Sequence, residues 1–484
     1  MLCVSCYVIK TMKNYYITTT LPYVNAEPHI GFALEIIRAD VLARYQRELG
    51  NEVFFNTGVD EHGQKIYNKA KEQGISAQDY CDQMASKFNI LKESLNLSYN
   101  SFIRTTDSAH EAAAQEFWRR CLASGDIYKK NYQTKYCVGC ELEKTDSDLV
   151  NDRCPDHPNN ELEIIDEENY FFRFSKYQEP LLNFYKNNPN FVRPQTKFNE
   201  IIKFVEMGLS DFSISRLKTK MPWGVAVPDD AEQVMYVWFD ALVNYISCLG
   251  WPANLDNFNQ FWPGLQICGK DNLRQQTAMW QAMLMSAGVA NSEQVLINGF
   301  ITSDGQKMSK SLGNVVSPIE LVEKYGTDAV RYYLLAAITL ADGDFSLDKF
   351  LTRYNADLAN GLGNLLARVT TLIEKNNLTI ELQTCANSSL LEDYHKCLAD
   401  YDFSGALARL WEEVKVADEI ITRTKPWTIT DPKELHESLA PLAQTLYDLG
   451  KLLLPFLPTS AAKIITTLEA KPIKKSEPLF ARLS

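Results

Sequence analysis

The chain has 484 residues, 45% of them apolar, and a formal net charge of −12. A chain this long holds more than one ordinary core, and its apolar share excludes a disordered protein. No apolar run approaches the roughly 20 residues of a membrane-spanning helix, while the acidic total leaves a nucleic-acid partner open, because phosphate binding needs only a local basic face.

Residues 1–12 read as a tail. Leu2 to Ile9 is mildly apolar, but no basic segment precedes it and no small-residue cleavage site follows, so no secretory signal is expected. Met12 is a second candidate start. Cys3 and Cys6 have metal-like spacing but no second pair at a fixed distance, and read as incidental. The eleven cysteines form no regular framework, which fits a reducing cytoplasm with some thiols on metal.

Tyr15 to Thr20 is aromatic and β-branched, the pattern of a buried strand, and Leu21-Pro22 ends it. Pro28 sits where a helix would begin, Ala33, Ile37, Val41 and Tyr45 recur at helical spacing, and Gly50 closes the helix. Glu52 to Thr57 is a second strand, followed by Gly58-Val59-Asp60-Glu61-His62-Gly63 and a helix to about Gly74. Strand, helix and strand at this spacing predict a βαβ unit and a parallel sheet. Between roughly Ser124 and Asp230 the pattern breaks into clustered cysteines, scattered prolines and mixed short strands. It resumes with a strand at Val234–Val237, a helix to Gly250, a strand at Leu265–Cys268 and a helix ending at Gly288. Ser317-Pro318-Ile319-Glu320 is a capping box with proline at the first helical position. Beyond it the chain reads as long amphipathic helices with almost no strand signal. The fold class is therefore α/β: a Rossmann-like parallel sheet split by an insertion, followed by an all-α bundle.

Pro28-His29-Ile30-Gly31 lies between the first strand and its helix, at the end of the sheet where open α/β folds bind ligands. A helix N-terminus offers free N–H groups to phosphate, Gly31 admits a ligand close to the backbone, and His29 can donate to a phosphate oxygen. Taken alone, the tetrapeptide fits a buried histidine at a helix start equally well. Lys307-Met308-Ser309-Lys310-Ser311 follows a turn-forming Asp-Gly, and its two lysines can close over a triphosphate. A solvated basic loop has the same composition. Cys137-Val138-Gly139-Cys140 and Cys154-Pro155-Asp156-His157 form Cys-x2-Cys, thirteen residues, then Cys-x2-His. Three thiolates and one imidazole suit tetrahedral zinc, and a closed four-ligand site is structural.

His29-Ile30-Gly31-Phe32 with Lys307 to Ser311 resembles the paired signatures of the class I aminoacyl-tRNA synthetases. Their first signature reads His-Ile-Gly-His, so Phe32 departs from it; the second is intact. The resemblance implies that both motifs stabilise the transition state as a carboxylate attacks the α-phosphate of ATP. It implies catalytic roles for His29, Lys307 and Lys310, and ATP contacts for His29, Gly31, Gly269, Asp271 and Lys310, with Mg²⁺ accompanying the nucleotide. Asp271 matches the residue that holds the ribose.

Four stretches are similar to the methionine branch of that family: Leu21 to Asn25, Thr57 to Ile66, Tyr236 to Tyr245, and Gly269-Lys270-Asp271. They imply a methionine pocket of Leu21, Tyr23, Asp60, Trp238, Ala241 and Tyr245. Asp60 would pair with the α-ammonium, and the aromatic rings would surround the thioether, a favourable sulfur–aromatic contact. Many members carry isoleucine and histidine where this chain has Asn272 and Gln276. The insertion is too short for the editing domain of the leucine, isoleucine and valine enzymes, whose pockets resolve a methylene by only about 1–3 kcal/mol. The zinc knuckle matches the family's, with one knuckle where some relatives have two.

The helical end resembles the family's anticodon-binding bundle. Asn364 and Arg368 lie one helical turn apart, and with Trp427 they match residues that read or stack on anticodon bases. The implied divisions are 13–123 and 232–325 for the catalytic domain, 124–231 for the insertion with its knuckle at about 135–160, 326–345 for a connection and 346–484 for the bundle. The resemblance implies activation of L-methionine with ATP, pyrophosphate release and charging of tRNA(Met) by a cytoplasmic monomer that contacts no membrane. Two rivals stand beside it: a leucine or cysteine enzyme of the same class, and an inactive tRNA-binding paralogue.

Overall fold

The computed structural model describes residues 12–140, 142–144, 146–308, 313–383 and 388–483. Its centre is a six-stranded sheet of β1 (Asn14–Thr19), β2 (Glu52–Val59), β3 (Ser101–Arg104), β4 (Val192–Arg193), β5 (Leu265–Gly269) and β6 (Gln294–Asn298). The order is β3-β2-β1-β5-β6-β4, and every pairing is parallel. The expected parallel α/β sheet is therefore present. Strand order reverses on either side of β1, so the carboxyl ends of β1 and β5 border the crevice in which such sheets bind ligands.

Several local expectations need correction. The helix after β1, α1 (Ile30–Glu48), begins two residues after Pro28, because the His29 side chain caps it. The strand near Val234–Val237 does not belong to the parallel sheet. It runs Asp230–Met235 and pairs antiparallel with Ser215–Leu217 and Ala226–Val227, while Val237 opens a short helix. A short apolar run fits a buried parallel strand and the buried end of an antiparallel one alike. Conversely β4 arises inside the stretch read as an insertion; two residues are too few to show a period. Gly343–Phe345, in the stretch read as helical, pairs parallel with Ile301–Ser303.

The insertion is built on a long antiparallel pair, Ile127–Cys137 with Glu163–Phe172. The carboxyl-terminal part packs helices Asn364–Lys375, Phe403–Thr424, Pro432–Leu453 and Pro458–Glu469. Asp431 and Ser317 cap their helices through side-chain oxygens, each followed by proline at the first turn. No helix among the described residues is long and apolar enough to cross a membrane. One apolar cluster runs from α1 (Ile37, Val41) through Leu335 and Leu358 to Leu446, so the sheet and the bundle share a core.

A buried ion pair fixes that junction. Arg331 Nη2 lies 2.8 Å from Asp40 Oδ2, and neither side chain reaches solvent. Asp40 also takes Arg44 Nε at 2.7 Å and the Ser98 N–H and hydroxyl. Arg331 donates its remaining N–H groups to the carbonyls of Leu95, Pro455 and Phe456. Burial works to raise the Asp40 carboxyl, but the Arg331 and Arg44 guanidiniums and Ser98 outweigh it and hold the group below its ordinary value.

Asp40→Ala leaves the Arg331 charge buried without its carboxylate and should cost about 3–5 kcal/mol, read as a lower urea midpoint. Because the folded pKa is depressed, this stabilisation is complete above the unfolded carboxylate value and disappears as pH falls through the folded one. A loss under about 1 kcal/mol, the scale of an exposed pair, would remove the junction from this role.

Candidate active site and metal centre

The sheet delivers the expected residues to its carboxyl edge. After β1 the chain pairs with the end of β2: the Asp60 N–H donates to the Pro22 carbonyl at 3.0 Å, and the Val24 N–H to the Asp60 carbonyl at 3.1 Å. Tyr23 and Asp60 thereby form a parallel bridge, with Leu21 buried beside them.

The start of α1 is shaped by His29. Its backbone is extended, and its Nδ1 accepts the Gly31 N–H at 3.0 Å. That bond leaves the ring proton on Nε2, where it can be donated. Burial lowers the imidazole pKa and keeps the ring neutral. A Cβ on Gly31 would stand 2.8 Å from His29 Cε1 and 3.9 Å from Met308 Cε, so glycine is required and the lysine motif is within reach. The Ile30 N–H donates to the Val316 carbonyl, tying the segment after that motif to the helix start. Lys307 is exposed, and Lys310 lies outside the described residues. Phe32 packs edge-on against Phe88 at 5.6 Å, an apolar contact where the family signature has histidine.

At the end of β5, a Cβ on Gly269 would meet Asp271 Oδ1 at 2.5 Å, so glycine makes room for that carboxylate. Asp271 has an exposed edge, but its carboxyl is crowded by protein, which raises its pKa, while Lys307 and Lys270 pull it back. Lys270 is held by Asp342 at 2.6 Å.

Trp238 and Ala241 share a face of the short helix Val237–Ala241, and Tyr245 follows it. Trp238 Nε1 is buried with no hydrogen-bond partner among the described residues. Gln276 Nε2 donates to the Tyr245 hydroxyl, and the Tyr16 hydroxyl donates to the Tyr245 carbonyl at 2.8 Å. The departure from histidine at 276 therefore keeps a polar contact with Tyr245. Tyr23 and Trp238 pack in one small cluster with Tyr136, Val138, Tyr236 and Val237.

Sequence reasoning passed over three buried polar residues here. His62 and Asp240 form an ion pair of 2.9 Å. Glu35, on α1, accepts the Thr20 N–H at 2.9 Å, and burial pushes its pKa up to about 8. A glutamate on an otherwise apolar helix face was the available signal for Glu35; the other two were hidden inside motifs read for other residues.

The ligand atoms of Cys137, Cys140, Cys154 and His157 all lie within 4.8 Å of one another. Cys140 Sγ is 3.4 Å from Cys154 Sγ and 3.2 Å from His157 Nδ1, far longer than the roughly 2.05 Å of a disulfide. A Cβ on Gly139 would strike His157 Cγ at 2.4 Å, so glycine lets the ring close the cluster. The donor set and spacing fit tetrahedral zinc. Lys65 Nζ donates to the Gly139 carbonyl at 2.5 Å and lies 5.6 Å from the Tyr23 ring, joining the knuckle to the crevice.

In the helical part, Arg368 pairs with Asp418 at 2.7 Å and lies 5.7 Å from the Trp427 ring, which is 52% exposed. Both line a shallow cleft of about 290 Å³ with Ala367, Thr371 and Leu372. Asn364, one turn earlier, is partly buried and does not line it. A cavity of about 500 Å³ at the seam beside Arg38, Ile338 and Phe403 contains none of the expected site residues.

The family model described as tRNA synthetases class I (M) matches residues 15–161 and 145–370. A methionine--tRNA ligase of Rickettsia bellii is 40% identical over 98% of this chain and 95% of that protein. One from Thermosynechococcus vestitus is 49% identical over 75% of this chain and 69% of that protein. Among solved structures, Mycobacterium tuberculosis methionyl-tRNA synthetase bound by methionyl-adenylate superposes with a TM-score of 0.89 at 37% identity, covering 96% of each chain. The chain belongs to the methionyl-tRNA synthetases of class I.

Proposed function

We propose that the chain activates L-methionine with ATP and transfers the methionyl group to the terminal ribose of initiator and elongator tRNA(Met). The observation that carries this is the meeting, at the switch point of the parallel sheet, of the Tyr23–Asp60 bridge and the His29-capped start of α1.

Asp60 receives the α-ammonium, and Leu21, Tyr23, Trp238, Ala241 and Tyr245 enclose the thioether. The methionine carboxylate oxygen attacks the α-phosphorus; the new P–O bond forms as the bond to pyrophosphate breaks. The neutral His29 donates Nε2–H to phosphate, the positive dipole end of α1 adds to it, and Lys307 and Lys310 receive the charge that gathers on the leaving group. Gly269 and Asp271 seat the ribose. ATP is bound as its Mg²⁺ complex. The 2′-hydroxyl of the tRNA then attacks the adenylate carbonyl; the ester C–O bond forms as the bond to AMP breaks, and the hydroxyl proton leaves with the AMP phosphate, with Arg368, Trp427 and Asn364 reading the anticodon. Zinc is held by Cys137, Cys140, Cys154 and His157 as a structural ion. A cytoplasmic monomer completes the reading.

Methionine, and not leucine or cysteine, should support ATP–pyrophosphate exchange; leucine-dependent exchange without methionine-dependent exchange would assign another member of the class. Lys310→Ala should lower the exchange rate on the order of 10²–10³-fold, the range for losing a transition-state donor. Wild-type rates in that variant would take the lysine out of the mechanism.

The purified protein should carry one equivalent of zinc by elemental analysis, and Cys154→Ser or Gly139→Ala should reduce it. Full metal content in Cys154→Ser would exclude the four-ligand site. Trp427→Ala should weaken tRNA(Met) binding by about 1–3 kcal/mol, the contribution of one stacked base, measured as a raised KM for tRNA in charging.

A further inference from the structure

Four of the six residues assigned to methionine ride on two segments far apart in the chain. Asp60 leaves β2; Trp238, Ala241 and Tyr245 follow the strand Asp230–Met235. Apolar packing alone lets such segments slide, because it has no preferred direction. A directional link joins them. His62, two residues after Asp60, places Nδ1 2.9 Å from Oδ2 of Asp240, which stands between Trp238 and Ala241. Their side chains are 3% and 0% exposed.

The surroundings hold the pair in place. The Trp223 ring lies 5.6 Å from the His62 ring, its Nε1 donates to the Glu61 carbonyl at 2.6 Å, and the Gly63 N–H donates to the Trp223 carbonyl. The backbone on both sides of His62 is thus fixed to a third segment. On the partner side the Val243 N–H donates to the Asp240 carbonyl, and Asn244 Nδ2 to that of Ala241. The other charged groups nearby do not compete. Glu61 is taken by Arg104 at 2.8 Å and by the Thr106 hydroxyl. His110 faces Ser247 at 2.9 Å, and burial pushes it down to about 3, so it is neutral. Glu111 adds a carboxylate that favours a positive His62. Burial opposes that charge; Asp240 outweighs it and holds the imidazole above its ordinary value. Burying two charges is costly, and the best-attested return is register.

We propose that the His62–Asp240 pair is a positioning device for the methionine site: it sets the distance between the Asp60 carboxylate and the Trp238–Tyr245 wall, and so tunes methionine affinity without touching the substrate. The inference rests on the reading of Asp60, Trp238, Ala241 and Tyr245 as methionine contacts.

The test is steady-state ATP–pyrophosphate exchange on the full chain, with methionine and ATP each varied. Asp240→Asn and His62→Ala should raise the KM for methionine about tenfold, the effect of one lost charge-assisted hydrogen bond, and leave the KM for ATP within about twofold. The neutral pair His62→Gln with Asp240→Asn, which can span the same gap with an amide hydrogen bond, should recover most of the loss. An unchanged methionine KM, or equal rises in both constants, overturns the proposal. If none of the three variants folds, the pair is a folding element and the proposal also falls. Absence of methionine-dependent exchange in the wild type would instead overturn the underlying reading.

Discussion

Asp40 and Arg331 are 2.8 Å apart and closed off from water, and each lies on a different part of the molecule. Asp40 belongs to α1, the helix whose first turn carries His29 and Gly31. Arg331 belongs to the helix Thr327–Ala337 and donates further N–H groups to the carbonyl of Leu95, at the end of the short helix Leu91–Ser94, and to those just after Pro432–Leu453. A lone charge at either position would be untenable in that interior. The pair therefore exists only when sheet and bundle are docked, and the shared apolar cluster around Ile37 and Leu335 fills the space beside it. Asp328, on the same helix as Arg331, accepts the Ser460 N–H at 2.5 Å and extends the junction to the last helix.

The crevice depends on a second convergence, from the insertion. Tyr136 and Val138 flank the first knuckle cysteine and pack with Tyr23 and Trp238. Lys65, from the segment that also supplies Asp60, reaches the Gly139 carbonyl. The metal ligands thus set the shape of a loop that forms part of the crevice wall. An ion held by these four residues would shape the crevice wall as well as the insertion.

Periodicity made the central layer legible. The strands at Tyr15–Thr20, Glu52–Thr57 and Leu265–Cys268, the α1 spacing and the Ser317 cap all correspond to elements of the structure. The knuckle was legible because cysteine and histidine at short spacing have few other uses in so large a chain. Two things were not. Strand partnership is a long-range property: nothing within Asp230–Met235 says that its neighbours are Arg216 and Ala226, or that β4 would arise within the insertion. Side-chain pairing is likewise silent in one dimension. His62 and Asp240 are 178 positions apart, and each looks like an ordinary member of its own motif. The short lysine loop was the reverse case, conspicuous in sequence through Lys307 and Lys310 although only Lys307 and Met308 of the five fall among the described residues.

α1 has 19 residues and spans about 28 Å at 1.5 Å per residue. Its first turn borders the crevice at the carboxyl edge of the sheet, and its middle is pinned by Arg331. Between Gly31 and Asp40 the helix acts as a shaft with both ends keyed. One residue more or less would turn one key by about 100° against the other and move it by about 1.5 Å. The surface of this helix is free to change wherever it meets water, but the count of residues between the two keys is not. Chain length there is a dimension of the crevice, set nine residues away from its edge.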